Sequence, residues 1–93
     1  MNEYLNDPYD PVFLIELALK SKLFLLLEKL SNHKLEMVRI NVAKNPNCTV
    51  KILEKMLNDN SFLVKKQIVL NEKCTAKILK NIYKEFKDNE DIV

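Results

Sequence analysis

Glycine and tryptophan are both absent from the 93-residue sequence, which has only two cysteines and three prolines. Without glycine there can be no Walker loop and no dinucleotide-binding fingerprint, because both need residues that let backbone approach phosphate. The usual left-handed helix caps are lost as well, and tight hairpins would have to rely on Asn or Asp, so a strand-rich fold is not expected. Two cysteines are too few for a disulfide scaffold and fit a reducing compartment, which makes the cytoplasm the expected location. The opening Met1-Asn2-Glu3-Tyr4-Leu5-Asn6-Asp7 is acidic where a secretory signal needs positive charge. Glu16, Lys20, Lys22, Glu28 and Lys29 interrupt the apolar stretch from Val12 to Leu30, so neither export nor a membrane span is expected.

What is present suits one globular domain. The hydrophobic fraction is 47% against 8% aromatic, so Leu, Ile, Val and Met must fill the core. The formal net charge of +2 hides a strong asymmetry. Residues 1–16 carry Glu3, Asp7, Asp10 and Glu16 and no basic residue, and residues 88–93 carry Asp88, Glu90 and Asp91. All 15 Lys and Arg lie between residues 17 and 87, alongside only six carboxylates. The middle of the chain is therefore basic and its ends acidic.

The chain also repeats itself. An offset of 26 residues places Val38 on Val64, Asn45 on Asn71, Cys48 on Cys74 and Thr49 on Thr75. It also places Lys51 on Lys77, Ile52 on Ile78 and Leu53 on Leu79, making seven identities in the 22 pairs from Val38 to Asp59. The same offset pairs Leu27-Glu28-Lys29-Leu30 with Leu53-Glu54-Lys55-Met56, the trace of an earlier copy. A fixed period of this length is the signature of stacked structural repeats, with atypical units at the ends. The expected organisation is a single helical-repeat domain over 1–93. It comprises an N-terminal cap (1–22), a partial repeat (23–33), two repeats (34–60 and 61–86) and an acidic tail (87–93).

Each repeat reads as two helices. Leu35, Val38 and Val42 fall at helical spacing up to Asn45-Pro46, where Asn tolerates a left-handed cap and proline disfavours helix at the residue before it. Thr49 is placed to cap a helix carrying Ile52, Leu53, Met56 and Leu57, and Asp59-Asn60-Ser61 ends it and opens the next. Val64, Ile68 and Val69 run on to Asn71, and Thr75 opens a helix with Ile78, Leu79, Ile82, Tyr83 and Phe86. Asp10-Pro11 is an N-cap followed by proline in the first helical turn.

The unit Val38-Arg39…Val42-Ala43-Lys44-Asn45-Pro46-Asn47-Cys48-Thr49…Ile52-Leu53…Met56-Leu57-x-Asp59 resembles the variant leucine-rich repeat, which belongs with the HEAT-like helical superhelices. The resemblance covers roughly residues 26–86. The third copy departs from it with Lys65 for Arg39, Val69 for Ala43 and Glu72 for Pro46. The resemblance implies an all-α, right-handed α-α superhelix, or solenoid, in which helices alternate with shorter helical, sometimes 3₁₀, segments. It also implies a surface that binds proteins and sometimes nucleic acid. Some members carry an N-terminal iron–sulfur cluster on clustered cysteines; here no cysteine precedes Cys48, so that feature is not carried over.

No residue pattern points to catalysis, a cofactor, a metal or a small-molecule substrate. Cys48 and Cys74 occupy equivalent repeat positions; packed helices lie about 8–10 Å apart, too far for the roughly 7 Å that a disulfide allows. They read as small residues filling the turns. With the single His33 they make at most an incomplete metal site. His33, which matches Asp59 in the repeat, reads as a polar turn residue. Leu23-Phe24-Leu25-Leu26-Leu27 is too apolar for a helix with one buried face. Either it lies centrally in the stack, which is the expected reading, or part of it meets a partner or a second copy. The same question attaches to Tyr83 and Phe86, which no later unit follows.

The lysines carry the functional signal. Lys51 and Lys55 share a helix face, and Lys77, Lys80 and Lys84 recur on the equivalent helix, so stacking would align them as a basic stripe. Arg39, Lys65 and Lys66 form a second matched group. The expected function is a non-catalytic protein-binding module, a stand-alone inhibitor or adaptor of a larger protein, whose basic face meets an acidic patch as a monomer or an end-stacked homodimer. The alternative is sequence-independent attachment to nucleic-acid phosphates. A single arginine leaves little means of reading guanine, and a surface of lysines is also the ordinary solvated face of a helix.

Overall fold

The computed structural model describes residues 10–90, with side chains as far as Lys87. The acidic-end residues Glu3, Asp7 and Asp91, and the side chains of Asp88 and Glu90, lie outside the described set. The chain is all-α: α1 (Pro11–Lys20), α2 (Phe24–Leu30), α3 (Glu36–Lys44), α4 (Val50–Lys55), a 3₁₀ turn (Met56–Asn58), α5 (Phe62–Leu70) and α6 (Ala76–Glu90). No strand occurs among the described residues.

Local sequence sets the helix starts. The Asp10 side chain accepts from the Phe13 N–H, Thr49 from Ile52, Ser61 from Val64 and Thr75 from Ile78, each satisfying one of the donors that a helix N-terminus leaves unpaired. Pro11 stands at the first position of α1, where its missing N–H costs nothing.

The helix ends depart from expectation in one respect. Asn45 does not take a left-handed conformation: its φ of −68° and ψ of 125° are extended, and no described residue has positive φ. Pro46 disfavours the helical region at Asn45, and the side chain stabilises the extended turn instead. Its Oδ1 accepts from the Asn47 N–H at 2.7 Å, closing an Asx turn. Its amide nitrogen reaches back to the carbonyls of Ala18 (2.9 Å) and Ser21 (2.8 Å), where α1 ends. Asn71 does the same 26 residues later: Oδ1 accepts from the Lys73 N–H, and the amide donates to Ala43 and Asn45. Ser21 holds the corresponding place after α1, its hydroxyl accepting from the Leu23 N–H.

Helix α3 packs on α1, and α5 packs on α3, while α2 packs against α3 and the 3₁₀ turn and α6 pack against α5. The shared core runs through Leu14, Ala18, Leu27, Val38, Val42, Ile52, Val64, Ile68 and Ile78. The Cα trace measures 43 × 29 × 15 Å.

The apolar run Leu23–Leu27 is not central. Only Leu27 is fully buried, whereas Leu23 is 67% and Leu25 76% exposed. α2 is a seven-residue helix, so one face can reach the core and the opposite face must meet solvent. At the other end, Tyr83 is 65% exposed instead of buried, and Phe86 leans on Phe62 with ring centroids 5.4 Å apart. α6 continues through Lys87 to Glu90, past the expected boundary at residue 87.

Candidate binding surface

Helix α6 is strongly amphipathic. Ile78 and Ile82, four residues apart, point into the core, and the remaining faces are exposed. Lys77, Lys80 and Lys84 share one of these faces. With Ala76 and Asn81 they line an open concavity of about 390 Å³. None of the three forms an ion pair among the described residues. The concavity therefore gathers three cationic groups, with no carboxylate among the described residues that line it.

The rest of the basic set behaves differently. Lys55 Nζ lies 2.6 Å from Glu28 Oε2. That hydrogen bond, followed by the charge of Lys55 and then that of Lys51, holds the Glu28 carboxyl below its ordinary range despite a smaller opposing effect of desolvation. Lys51 is thus partly offset by Glu28 and does not line the α6 concavity. Lys65 pairs with Glu85, tying α5 to α6, while Lys66 is exposed on α5.

Arg39 serves the fold. Its Nε donates to Asp59 Oδ2 at 2.7 Å, and its Nη1 donates to the carbonyls of His33 and Lys34, both at 3.0 Å. The side chains of Arg39 and Asp59 are only 20% and 10% exposed. The pair clamps the turn before α3 to the turn before α5, and the planar guanidinium suits this forked arrangement. The same turns match in detail: His33 Nδ1 accepts from the Leu35 N–H as Asp59 Oδ1 accepts from the Ser61 N–H. His33, Arg39, Lys55 and Asp59 line a second concavity of about 370 Å³, but the guanidinium there is already held by protein acceptors.

Both thiols are free. Cys48 is fully buried, and removal from water pushes its pKa up to about 11; the same effect raises that of Cys74. Neither is an activated nucleophile. Among the described residues no group of three or more His, Cys, Asp or Glu is placed to hold a metal ion. No described helix is long and apolar enough to cross a membrane.

Sequence reasoning did not single out Leu79, which is 48% exposed beside Tyr83. Leu79 matches Leu53 across the 26-residue offset, and Leu53 is fully buried. No family model, curated protein or solved structure matches this chain.

Proposed function

We propose that this chain is a short right-handed solenoid of helical repeats with a period of about 26 residues, related to the variant leucine-rich repeats, and that it is a non-catalytic protein-binding module. The repeat reading draws support from Asn45 and Asn71, 26 positions apart, which make matching hydrogen bonds to the preceding helix. It draws further support from the short α4 running into a 3₁₀ turn. The binding reading rests on one observation above others: Lys77, Lys80 and Lys84 line a single open concavity with no carboxylate among its described lining residues. Three ammonium groups held on one helix face favour an acidic protein patch, and the attraction speeds encounter as well as fixing orientation. A chain of this size that offers a surface and no catalytic constellation suits the role of an inhibitor or adaptor in the cytoplasm.

A second reading has its own support. Tyr83, 65% exposed, stands among Lys80, Lys84 and Lys87 on α6, and an aromatic ring among cations is what stacks and tracks single-stranded nucleic acid. The deciding experiment titrates the protein with labelled random-sequence single- and double-stranded DNA and RNA at low and moderate salt. Absence of binding at low salt supports the acidic protein partner. Salt-sensitive binding that is abolished in Lys77→Glu/Lys80→Glu/Lys84→Glu overturns it in favour of nucleic acid.

A further inference from the structure

Two stripes run side by side along α6. Lys77, Lys80 and Lys84 recur at helical spacing on one flank, and Leu79 and Tyr83, four residues apart, form an apolar ridge next to them. The ridge continues onto the exposed Phe62–Phe86 ring pair. One repeat earlier the matching residues are covered: Leu53 is fully buried and Leu57 half-buried. Leu79 at 48% and Tyr83 at 65% exposure thus stand open where their counterparts Leu53 and Leu57 are covered.

Building on the protein-binding reading above, we propose that α6 is the docking strip for an amphipathic, acidic helix of a partner protein. The apolar residues of that helix, at i and i+4 spacing, cover Leu79 and Tyr83, and its carboxylates on one flank meet Lys77, Lys80 and Lys84. Charge selects this occupant: three lysines that form no ion pair among the described residues call for carboxylates, and the ridge beside them calls for an apolar stripe at matching helical spacing. An acidic amphipathic helix satisfies both stripes at once, with Tyr83 as the large anchor residue that dominates such interfaces.

The test uses the full chain and a fluorescein-labelled synthetic peptide of about 20 residues, with Leu at helical spacing and Glu along one flank. A second peptide of identical composition has its order permuted so that no amphipathic face exists. Fluorescence anisotropy is expected to show the amphipathic peptide binding at least about tenfold more tightly than the permuted one. Leu79→Ser/Tyr83→Ser, checked for helicity by circular dichroism, is expected to erase that difference while leaving the weaker, salt-sensitive attraction to both. Equal binding of the two peptides by the native protein overturns the docking strip but leaves the basic face intact. Weak binding of both peptides, unaffected by the lysine reversals, overturns the strip and the basic-face reading together. Sedimentation showing a dimer that Leu79→Ser/Tyr83→Ser dissolves also overturns the proposal, since the occupant is then a second copy.

Discussion

The side-chain amide of Asn71 donates to the backbone carbonyl of Asn45 at 3.1 Å, and it also reaches the carbonyl of Ala43 at 2.7 Å. Asn45 in turn donates to Ala18 and Ser21. The ends of α1 and α3 are therefore satisfied by the asparagines that end α3 and α5, which turns a local problem of unpaired carbonyls into a contact between helices. Ser21, at the corresponding place after α1, has no side-chain amide to donate.

Replacing either asparagine with alanine removes two hydrogen bonds to carbonyls at the end of the helix it packs on, together with an Asx turn. Asn45→Ala and Asn71→Ala are each expected to cost about 2–3 kcal/mol, read from urea unfolding. Asn45→Asp fails in the same way, because a carboxylate closes the Asx turn but cannot donate to carbonyls. Wild-type stability for Asn45→Ala would show that the asparagine series does not hold the helices together.

The Arg39–Asp59 clamp predicts a failure of conservative exchange. Arg39→Lys keeps the charge but cannot make the forked contacts to Asp59 and to the His33 and Lys34 carbonyls together, and it is expected to lose about 1–2 kcal/mol. A double-mutant cycle with Asp59→Asn should return a coupling energy of at least about 1 kcal/mol. A coupling near zero would reduce the pair to surface decoration.

Burial of Cys48 predicts both a reactivity and a pH dependence. A pKa near 11 against the usual 9 keeps the thiol neutral in the folded state, so native Cys48 should react with a disulfide reagent at pH 8 at least about a hundredfold more slowly than in denaturant. Cys74, less buried, should react first. Because the folded pKa lies above the unfolded one, the stabilisation is complete below about pH 9 and is lost as pH rises toward 11. Equal reaction of both thiols in the native protein would contradict the packing at Cys48.

Much of the helical framework was legible because it depends on neighbours in sequence. Asp10, Thr49, Ser61 and Thr75 cap helices by bonding three residues ahead, and apolar spacing marked Val38, Val42, Ile52, Val64, Ile68 and Ile78 as inward-facing. Contacts about 26 residues away were less so. The asparagine caps gave a turn signal but not their bonds to the previous helix, and Arg39 matched Lys65 as a surface cation although its partner Asp59 holds it in place. Of the basic residues singled out, Lys77, Lys80 and Lys84 come together, while Lys55 and Lys65 are spent on Glu28 and Glu85. Periodicity brings residues to one face, but it does not reveal which of them a carboxylate from another helix will neutralise. The run Leu23–Leu27 failed for a related reason, since hydrophobicity without a neighbouring helix does not bury a side chain.

Reversing the three lysines should separate binding from folding. Lys77→Glu/Lys80→Glu/Lys84→Glu breaks no ion pair among the described residues, and each site is exposed. Unfolding free energy should change by no more than about 0.5 kcal/mol per site, while partner binding is lost. A large loss of stability would mean that these lysines serve the fold.

The most direct test of the central claim is a photo-cross-linker placed at Asn81, which lines the lysine concavity, with Lys22 between α1 and α2 as the distant control. Irradiation in extract of the native host, with nuclease added, is predicted to give a discrete protein adduct from position 81 that is absent from position 22 and lost in the triple lysine reversal. Adducts that are the same from both positions, or that disappear with nuclease, would contradict the account.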